Sequence, residues 1–233
     1  MQWIDLMNTT LQETPHPTIP LFPLGLVLLP HMDLPLHIFE DRYKIMINAC
    51  LESGQPFGVV FFDGATMHQI GCTAKIQSVV RRYDDGRMDI LTRGDRRFIV
   101  KELDESRPFL QASVLFFGDE AEAAMADDDR LRADTLRLLK DLDRLSTTHR
   151  DYHAMANLDT AMLSFIIPGL EGFTPQERQP FLETTSPRRR LKKCRAALQS
   201  VIKRMQLSTE ILKAVGGNGD VKALRAKAGL STD

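Results

Sequence analysis

The stretch PLFPLGLVLLPHMDLPLHIFEDRY, residues 20–43, decides the fold class, because an apolar run with regularly placed prolines leads into a helix start. Proline cannot donate a backbone hydrogen bond, so Pro20 and Pro23 predict an edge strand, a bulge or a strand end. From Glu40 onward, apolar residues at helical spacing predict a helix that ends at Gly54. The stretch therefore predicts a strand followed by a helix.

Further strand signals follow in the first half of the chain. Phe57–Phe62 predicts a short buried strand, and residues 74–83 and 87–92 flank an Asp-Asp-Gly turn that predicts a hairpin. A second turn is predicted at Gly94, and residues 110–117 predict another strand. This half of the chain is therefore expected to form a β-rich domain that holds one helix.

In the second half the apolar period becomes helical. Helices are predicted over residues 120–145 and 152–167, and Thr174 opens a short third helix with a capping signal. Ser186 and the proline after it predict the start of a long last helix. We therefore expect an α+β fold with a flexible N-terminus over 1–18, a β-rich subdomain over 19–118, a helical subdomain over 119–215 and a tail over 216–233.

Composition excludes several classes of protein. Thirty basic residues nearly balance 31 acidic ones, so no overall field draws the chain to nucleic acid or to an anionic membrane. The three cysteines, Cys50, Cys72 and Cys194, are widely spaced and do not predict a disulfide framework or a zinc site. No cofactor or metal is predicted. Without an apolar leader or a long apolar span, we expect a cytoplasmic protein.

The opening stretch resembles the signature of the amino-terminal substrate-recognition domain of Lon proteases. The matching positions are Leu21, Phe22, Pro23, Pro30, Leu34, Pro35, Leu36, Ile38, Phe39, Glu40, Arg42 and Tyr43. Later segments such as GCTAKI and DGRMDILTRGDRRFIV are similar to the strands of that family. The resemblance implies a PUA-like pseudo-barrel followed by a helical bundle, and a role in binding unfolded polypeptide or a partner protease or chaperone. It also implies a non-catalytic module, because no GxxxxGK[ST] loop or serine and lysine peptidase segment occurs.

A surface that recognises unfolded polypeptide should be apolar, exposed and adaptable. Methionine and aromatic side chains suit varied partners. We therefore predict a polypeptide-binding groove near Phe116, Phe117 and Met125, where the β domain meets the first long helix.

A second set of polar residues surrounds the start of the first helix. His37, Glu40, Arg42 and Tyr43 lack an assignable nucleophile, so we predict no catalytic residue among them. We expect Glu40 to cap or complement the helix start and Arg42 to pair with a carboxylate of the barrel. A small hydrolase or ligand-binding enzyme centred on His37 and Glu40 remains an alternative.

Arginines of the predicted hairpins provide the alternative of nucleic-acid binding, which PUA-like barrels in other proteins perform. The residues are Arg81, Arg82, Arg93, Arg96 and Arg97. Aspartates interleave with them, which favours surface ion pairs over a phosphate track and makes nucleic acid an unlikely partner. The basic run at 187–193 is interpreted as the solvated face of the last helix, with acidic neighbours from the preceding helix.

Overall fold

The computed structural model describes residues 16–145 and 152–216, without the side chains of residues 152, 153 and 212–216. The described chain forms two compact units. One comprises the residues up to Leu28 together with Asp33–Phe117, and the other comprises Leu29–Met32 and the residues from Gly118 onward. Our predictions for residues 1–15 and 217–233 lie outside the described residues.

The first unit is a six-stranded mixed sheet with one helix. Its elements are β1 Thr18–Leu24, β2 Asp33–Ile38, α1 Asp41–Ser53, β3 Phe57–Phe62, β4 Met67–Arg82, β5 Met88–Asp104 and β6 Gln111–Phe117. The strand order is β2-β5-β4-β3-β1-β6, and β5 also pairs with β6. Five strands therefore close into a ring, and β2 pairs with β5 outside it. The β1 and β3 strands are parallel, and the other pairs are antiparallel.

The inside of the ring is apolar and tightly packed. Alternate residues of its strands point inward and form one buried cluster, consisting of Ile19, Leu21, Val60, Phe98, Val100, Ala112 and Val114. Gly71 lies against this cluster, because a Cβ atom there would lie 2.5 Å from Phe98 Cζ and 2.5 Å from the carbonyl oxygen of Val59. A glycine is therefore required for the close approach of β4 to its neighbours.

The structure corrects two predictions for the strands. The prolines of β1 predicted an edge strand, a bulge or a strand end. The edge strand is wrong, since β1 lies inside the ring, where Pro20 pairs with Gln111 of β6 and Pro23 with Val60 of β3. The first half of β1 pairs with β6 and the second half with β3, so each proline lies in only one of the two hydrogen-bonded ladders. The turn predicted at Gly94 is also wrong, since β5 runs unbroken through this position. Cys72 pairs with Arg97 and Ala74 with Gly94, so β5 has one residue more than β4 across this step, as in a β-bulge.

Other strand predictions are confirmed. The β3 strand has the predicted bounds, and the β4–β5 hairpin turns at Gly86, whose φ is 82°. The Tyr83 amide donates to the Arg87 carbonyl at 2.9 Å, which closes that turn. The β2 strand was not predicted, because its DLPLHI sequence contains a proline and precedes α1 closely in the chain.

The second unit is helical. Its elements are α2 Asp128–Asp143, α3 Tyr152–Ala156, α4 Thr160–Ile166, a 3₁₀ turn Ile167–Gly169, α5 Pro175–Glu183 and α6 Pro187–Gly216. The predicted helix over 120–145 begins only at Asp128, and the predicted helix over 152–167 is two helices. Asp159 breaks the latter because its side chain accepts from the Met162 amide at 2.7 Å and starts α4. The capping box at Thr174 is confirmed.

Together the mixed sheet and the helices confirm the α+β class. In the part of the chain that the structure describes, no helix is both long and apolar enough to cross a membrane. The three cysteines are buried, and no group of metal-binding side chains forms among the described residues.

Candidate functional site

A groove of about 370 Å³ opens on the first unit beside the start of α1. Its floor is aromatic, because Tyr43 and Phe109 line it and are 8% and 3% exposed. The Tyr43 ring stacks on Phe22 with 4.0 Å between ring centroids, which fixes the orientation of the ring. Burial raises the pKa of the Tyr43 hydroxyl, so this group stays protonated at neutral pH.

The rim of the groove mixes aliphatic and charged side chains. Pro23, Pro108 and Leu110 form the aliphatic part, and Arg42, Glu105 and Arg107 form the charged part. One carboxylate therefore lies in a rim that also carries two guanidinium groups.

Arg42 is held in place by its neighbours in the sequence. Its Nη2 atom lies 2.8 Å from Oε2 of Glu40, and its guanidinium lies 4.6 Å from the centre of the Tyr43 ring. This pairing corrects two expectations. Arg42 binds Glu40 and not a carboxylate of the barrel. Of the two roles expected of Glu40, capping is wrong, because its side chain makes no capping hydrogen bond at the start of α1, and complementing the helix start stays a prediction. A guanidinium two residues away competes successfully for that carboxylate.

Half of this groove was missed by sequence reasoning. Glu105, Arg107 and Pro108 lie in the loop between β5 and β6, which reads in the sequence as a simple connection. The loop lines the same groove as α1 because β6 pairs with both β5 and β1. The adjacent proline and phenylalanine at 108 and 109 were the available signal, but a local pattern does not reveal ring closure.

His37 lies on β2 in a different polar cluster. Its Nδ1 atom is 2.6 Å from Oδ1 of Asp89, and the Tyr83 hydroxyl donates to Oδ2 of Asp89 at 2.8 Å. The hydrogen bond with His37, followed by the bond from Tyr83, holds the pKa of Asp89 below its usual value. A nucleophile hydrogen-bonded to His37 does not occur among the described residues, so this cluster orients an imidazole without completing a catalytic set.

The arginines of the sheet are engaged with neighbours. Arg93 makes a bidentate pair with Asp33 at 2.6 and 3.0 Å. Arg96 lies 3.9 Å from the centre of the Phe116 ring. Arg97 is only 4% exposed and lies 4.6 Å from the centre of the Phe117 ring. Arg93 thus forms an ion pair of the kind that the interleaved aspartates predict, and Arg96 and Arg97 lie against aromatic rings. That nucleic acid is an unlikely partner stays a prediction.

The three residues of the predicted polypeptide-binding groove have different environments. Phe116 and Phe117 end β6 in the first unit and are half-buried beneath the two arginines. Phe116 also packs against the core of the ring. Met125 precedes α2 in the second unit, is 56% exposed, and contacts the guanidinium of Arg188 through its sulfur. The groove between them stays a prediction.

The basic run at the start of α6 is only partly solvated, which corrects its interpretation. Arg190 is fully buried, whereas Arg189 is exposed. The acidic partners of the arginine side chains in this run are Asp119, Glu120 and Asp128. They come from the segment before α2 and from its first residue, and not from the preceding helix α5, because α2 and α6 pack together.

Comparison with known proteins identifies the family. The model of the ATP-dependent protease La (LON) substrate-binding domain matches residues 18–200. The chain is 27% identical over 208 residues to Lon protease of Roseiflexus castenholzii, covering 83% of this chain and 26% of that protein. It is 25% identical over 209 residues to Lon protease 2 of Herpetosiphon aurantiacus, covering 84% of this chain and 25% of that protein. The chain thus spans about a quarter of the length of these relatives.

Solved structures agree with this match in fold. The Lon N-terminal domain protein from Xanthomonas campestris has a TM-score of 0.61 at 23% identity, covering 77% of this chain and 98% of that one. The N-terminal domain of Mycobacterium avium complex Lon protease has a TM-score of 0.60 at 23% identity, covering 80% and 98%. Because the family match extends over most of its length, the chain belongs to the ATP-dependent protease La (LON) substrate-binding domain family.

Proposed function

We propose that this protein is a non-catalytic module that binds polypeptide and that the groove beside α1 is a contact site. Family membership is the observation that carries the proposal, because the family is described as the substrate-binding part of a protease. A protease acts on polypeptide, so a domain that binds its substrates binds polypeptide. Unfolding or cleavage of the bound chain is assigned to a partner protease or chaperone.

The chemistry of the groove supports this proposal. Ligand pockets typically measure roughly 300–1,000 Å³, and a groove of about 370 Å³ lies at the small end of that range. It has room for one apolar side chain with its flanking backbone. The aromatic floor suits the side chain, while Glu105 and Arg107 offer an acceptor and a donor to a peptide amide. Such a rim does not require a charged ligand, which fits a site for varied sequences.

The test is fluorescence anisotropy with dye-labelled, unfolded β-casein as the probe. Pro108→Asp puts a charge into the apolar wall, and we expect the Kd to rise at least about tenfold, equivalent to ~1.4 kcal/mol. Leu103→Asp is the matched control, since Leu103 is 49% exposed and lies outside the groove. Its Kd should stay within about twofold of the natural chain. Equal losses in the two variants would reject the groove, and a natural chain that leaves the anisotropy unchanged would reject the function.

The predicted groove near Phe116, Phe117 and Met125 is tested with the same probe. Met125→Asp should abolish binding while the melting temperature stays nearly unchanged, because this side chain is largely exposed. If the melting temperature falls together with binding, Met125 serves the fold. If neither changes, this groove is excluded and the one beside α1 remains.

A further inference from the structure

The closure of the ring leaves one strand with an open edge. A closed barrel has no strand edge, but β2 is added outside the ring and ends the strand order with β5 as its only strand partner among the described residues. It pairs with β5 over its whole length, from Asp33 with Arg93 to Ile38 with Met88. On the opposite side of β2, the residues that the structure describes form no strand beside its backbone groups.

The direction of these backbone groups follows from one hydrogen bond. Thr92 Oγ1 donates to the Leu34 carbonyl at 2.8 Å, so that carbonyl faces β5. Backbone groups alternate sides along an antiparallel strand, so those of Asp33, Pro35 and His37 face away from β5. No backbone hydrogen bond from these three groups to another described residue occurs.

Pro35 does not block this edge. A proline facing β5 would remove a bond from the ladder, whereas a proline facing outward removes none. The edge keeps the outward carbonyls of Asp33, Pro35 and His37 and the outward N–H groups of Asp33 and His37. Three acceptors and two donors at strand spacing are complementary to the backbone of an extended chain.

Side chains around the edge favour a neutral and partly aromatic occupant. Asp33 is paired with Arg93, and His37 is hydrogen-bonded to Asp89, so the polar side chains along the edge already have partners. Phe39 follows the strand, stacks on the His37 ring at 5.9 Å and is 59% exposed. An exposed aromatic ring at the end of an open edge offers a platform for an apolar side chain of the added strand.

We propose that β2 binds an extended segment of polypeptide as an additional strand, hydrogen-bonded to the backbone of Asp33, Pro35 and His37 and packed on Phe39. This inference rests on the proposed function and goes beyond it by assigning a backbone-directed mode of binding. Such a mode explains how varied sequences are held, because every residue except proline supplies the same donor and acceptor.

The decisive measurement is amide hydrogen exchange of the natural chain with and without unfolded β-casein. We expect exchange at the Asp33 and His37 amides to slow at least about tenfold on binding, because these outward groups gain partners. The Leu36 amide, which faces β5, should change little and serves as the internal control. If β-casein binds and the Asp33 and His37 amides are unaffected, the proposed mode is wrong while the proposed function stands. If β-casein does not bind, both fall.

Two variants separate the backbone donor from the side chain at position 37. His37→Ala removes the imidazole and keeps the backbone N–H, whereas His37→Pro removes both. We expect the Kd for β-casein to be at least about fivefold higher for His37→Pro than for His37→Ala. Equal Kd values in two folded variants overturn the inference. A second copy of the chain is the competing occupant of this edge, and sedimentation velocity tests it. A dimer that is lost in His37→Pro but not in His37→Ala would assign the edge to a second copy and would also overturn the inference.

Discussion

Each unit contains a bidentate arginine–aspartate pair, and the two pairs lie in opposite environments. In the first unit, Arg93 binds both carboxylate oxygens of Asp33 with side chains 54% and 49% exposed. In the second unit, Arg190 binds both carboxylate oxygens of Asp119 at 2.7 and 2.6 Å, and its own side chain is 0% exposed. Both pairs are bidentate, through Nε and Nη2 in Arg93 and through Nη1 and Nη2 in Arg190, and they differ strongly in burial.

Burial changes what the surroundings must supply. A guanidinium has five N–H donors, and all five of Arg190 are used. Besides Asp119, they reach Ser164 Oγ at 2.8 Å and the carbonyls of Thr184 and Ala161 at 2.8 and 3.4 Å. The ring of Phe165 lies 3.5 Å from the guanidinium carbon. Arg93 needs no such enclosure, because its side chain is exposed to solvent. Arg190 is thus part of the fold, and Arg93 is available for contacts.

The largest effect is expected from breaking the buried pair. Asp119→Ala leaves the buried guanidinium of Arg190 without its carboxylate, which should lower the free energy of unfolding by about 3–5 kcal/mol. Urea denaturation followed by circular dichroism measures this loss. Glu120→Ala is the neighbouring control, since the Glu120 carboxylate lies 3.8 Å from the exposed Arg189. It should change the free energy of unfolding by less than about 0.5 kcal/mol. Equal effects would show that burial does not set the strength of these pairs.

An intermediate effect is expected for Arg188, whose side chain is 17% exposed. It donates to both carboxylate oxygens of Asp128 at 2.7 and 2.9 Å, and this bonding holds the pKa of Asp128 below its usual value. Arg188→Met should lower the melting temperature by about 3–6 °C at neutral pH. Arg195→Met is the control, because Arg195 lies 3.9 Å from Asp134 and should change the melting temperature little.

The same pair predicts a pH dependence with a definite sign. A depressed folded-state pKa stabilises the fold above the unfolded pKa of about 3.9, and the stabilisation is lost as the pH falls through the folded value. The difference in melting temperature between the natural chain and Arg188→Met should therefore be complete at pH 6–7 and shrink below about pH 4. A series of thermal melts from pH 7 to pH 2.5 measures it. A difference that grows on acidification would contradict the assignment to Asp128.

Features encoded by neighbouring residues were predictable from the sequence. The capping box joins Thr174 to Glu177 three residues later, and the structure has both of its hydrogen bonds. The β4–β5 hairpin depends on a turn of a few residues around Gly86. Helix caps and tight turns depend on neighbouring residues, so the sequence predicted the capping box at its observed position. It also predicted that β4 and β5 form a hairpin, although these strands are longer than predicted.

Features that join distant residues were not predictable. Arg190 and Asp119 are 71 positions apart, and the basic run around Arg190 has the pattern of a solvated helix face. The groove needs the β5–β6 loop beside α1, and the open edge of β2 exists only because the other five strands close. No residue pattern within one segment carries that information, so the predicted site residues included Arg42 and Tyr43 but omitted Arg107 and Phe109.

The smallest effect on stability is expected from breaking the exposed pair of Arg93 and Asp33. Arg93→Ala removes a bidentate pair whose two groups remain hydrated when separated, so the melting temperature should stay within about 2 °C of that of the natural chain. The Arg93 guanidinium keeps the pKa of Asp33 below its usual value, and this pKa should rise in the variant when followed by NMR titration. A pKa that moves while the melting temperature does not would show that the pair forms in solution and contributes little to stability. A fall as large as that of Asp119→Ala would mean that bidentate geometry, and not burial, decides the strength of these pairs.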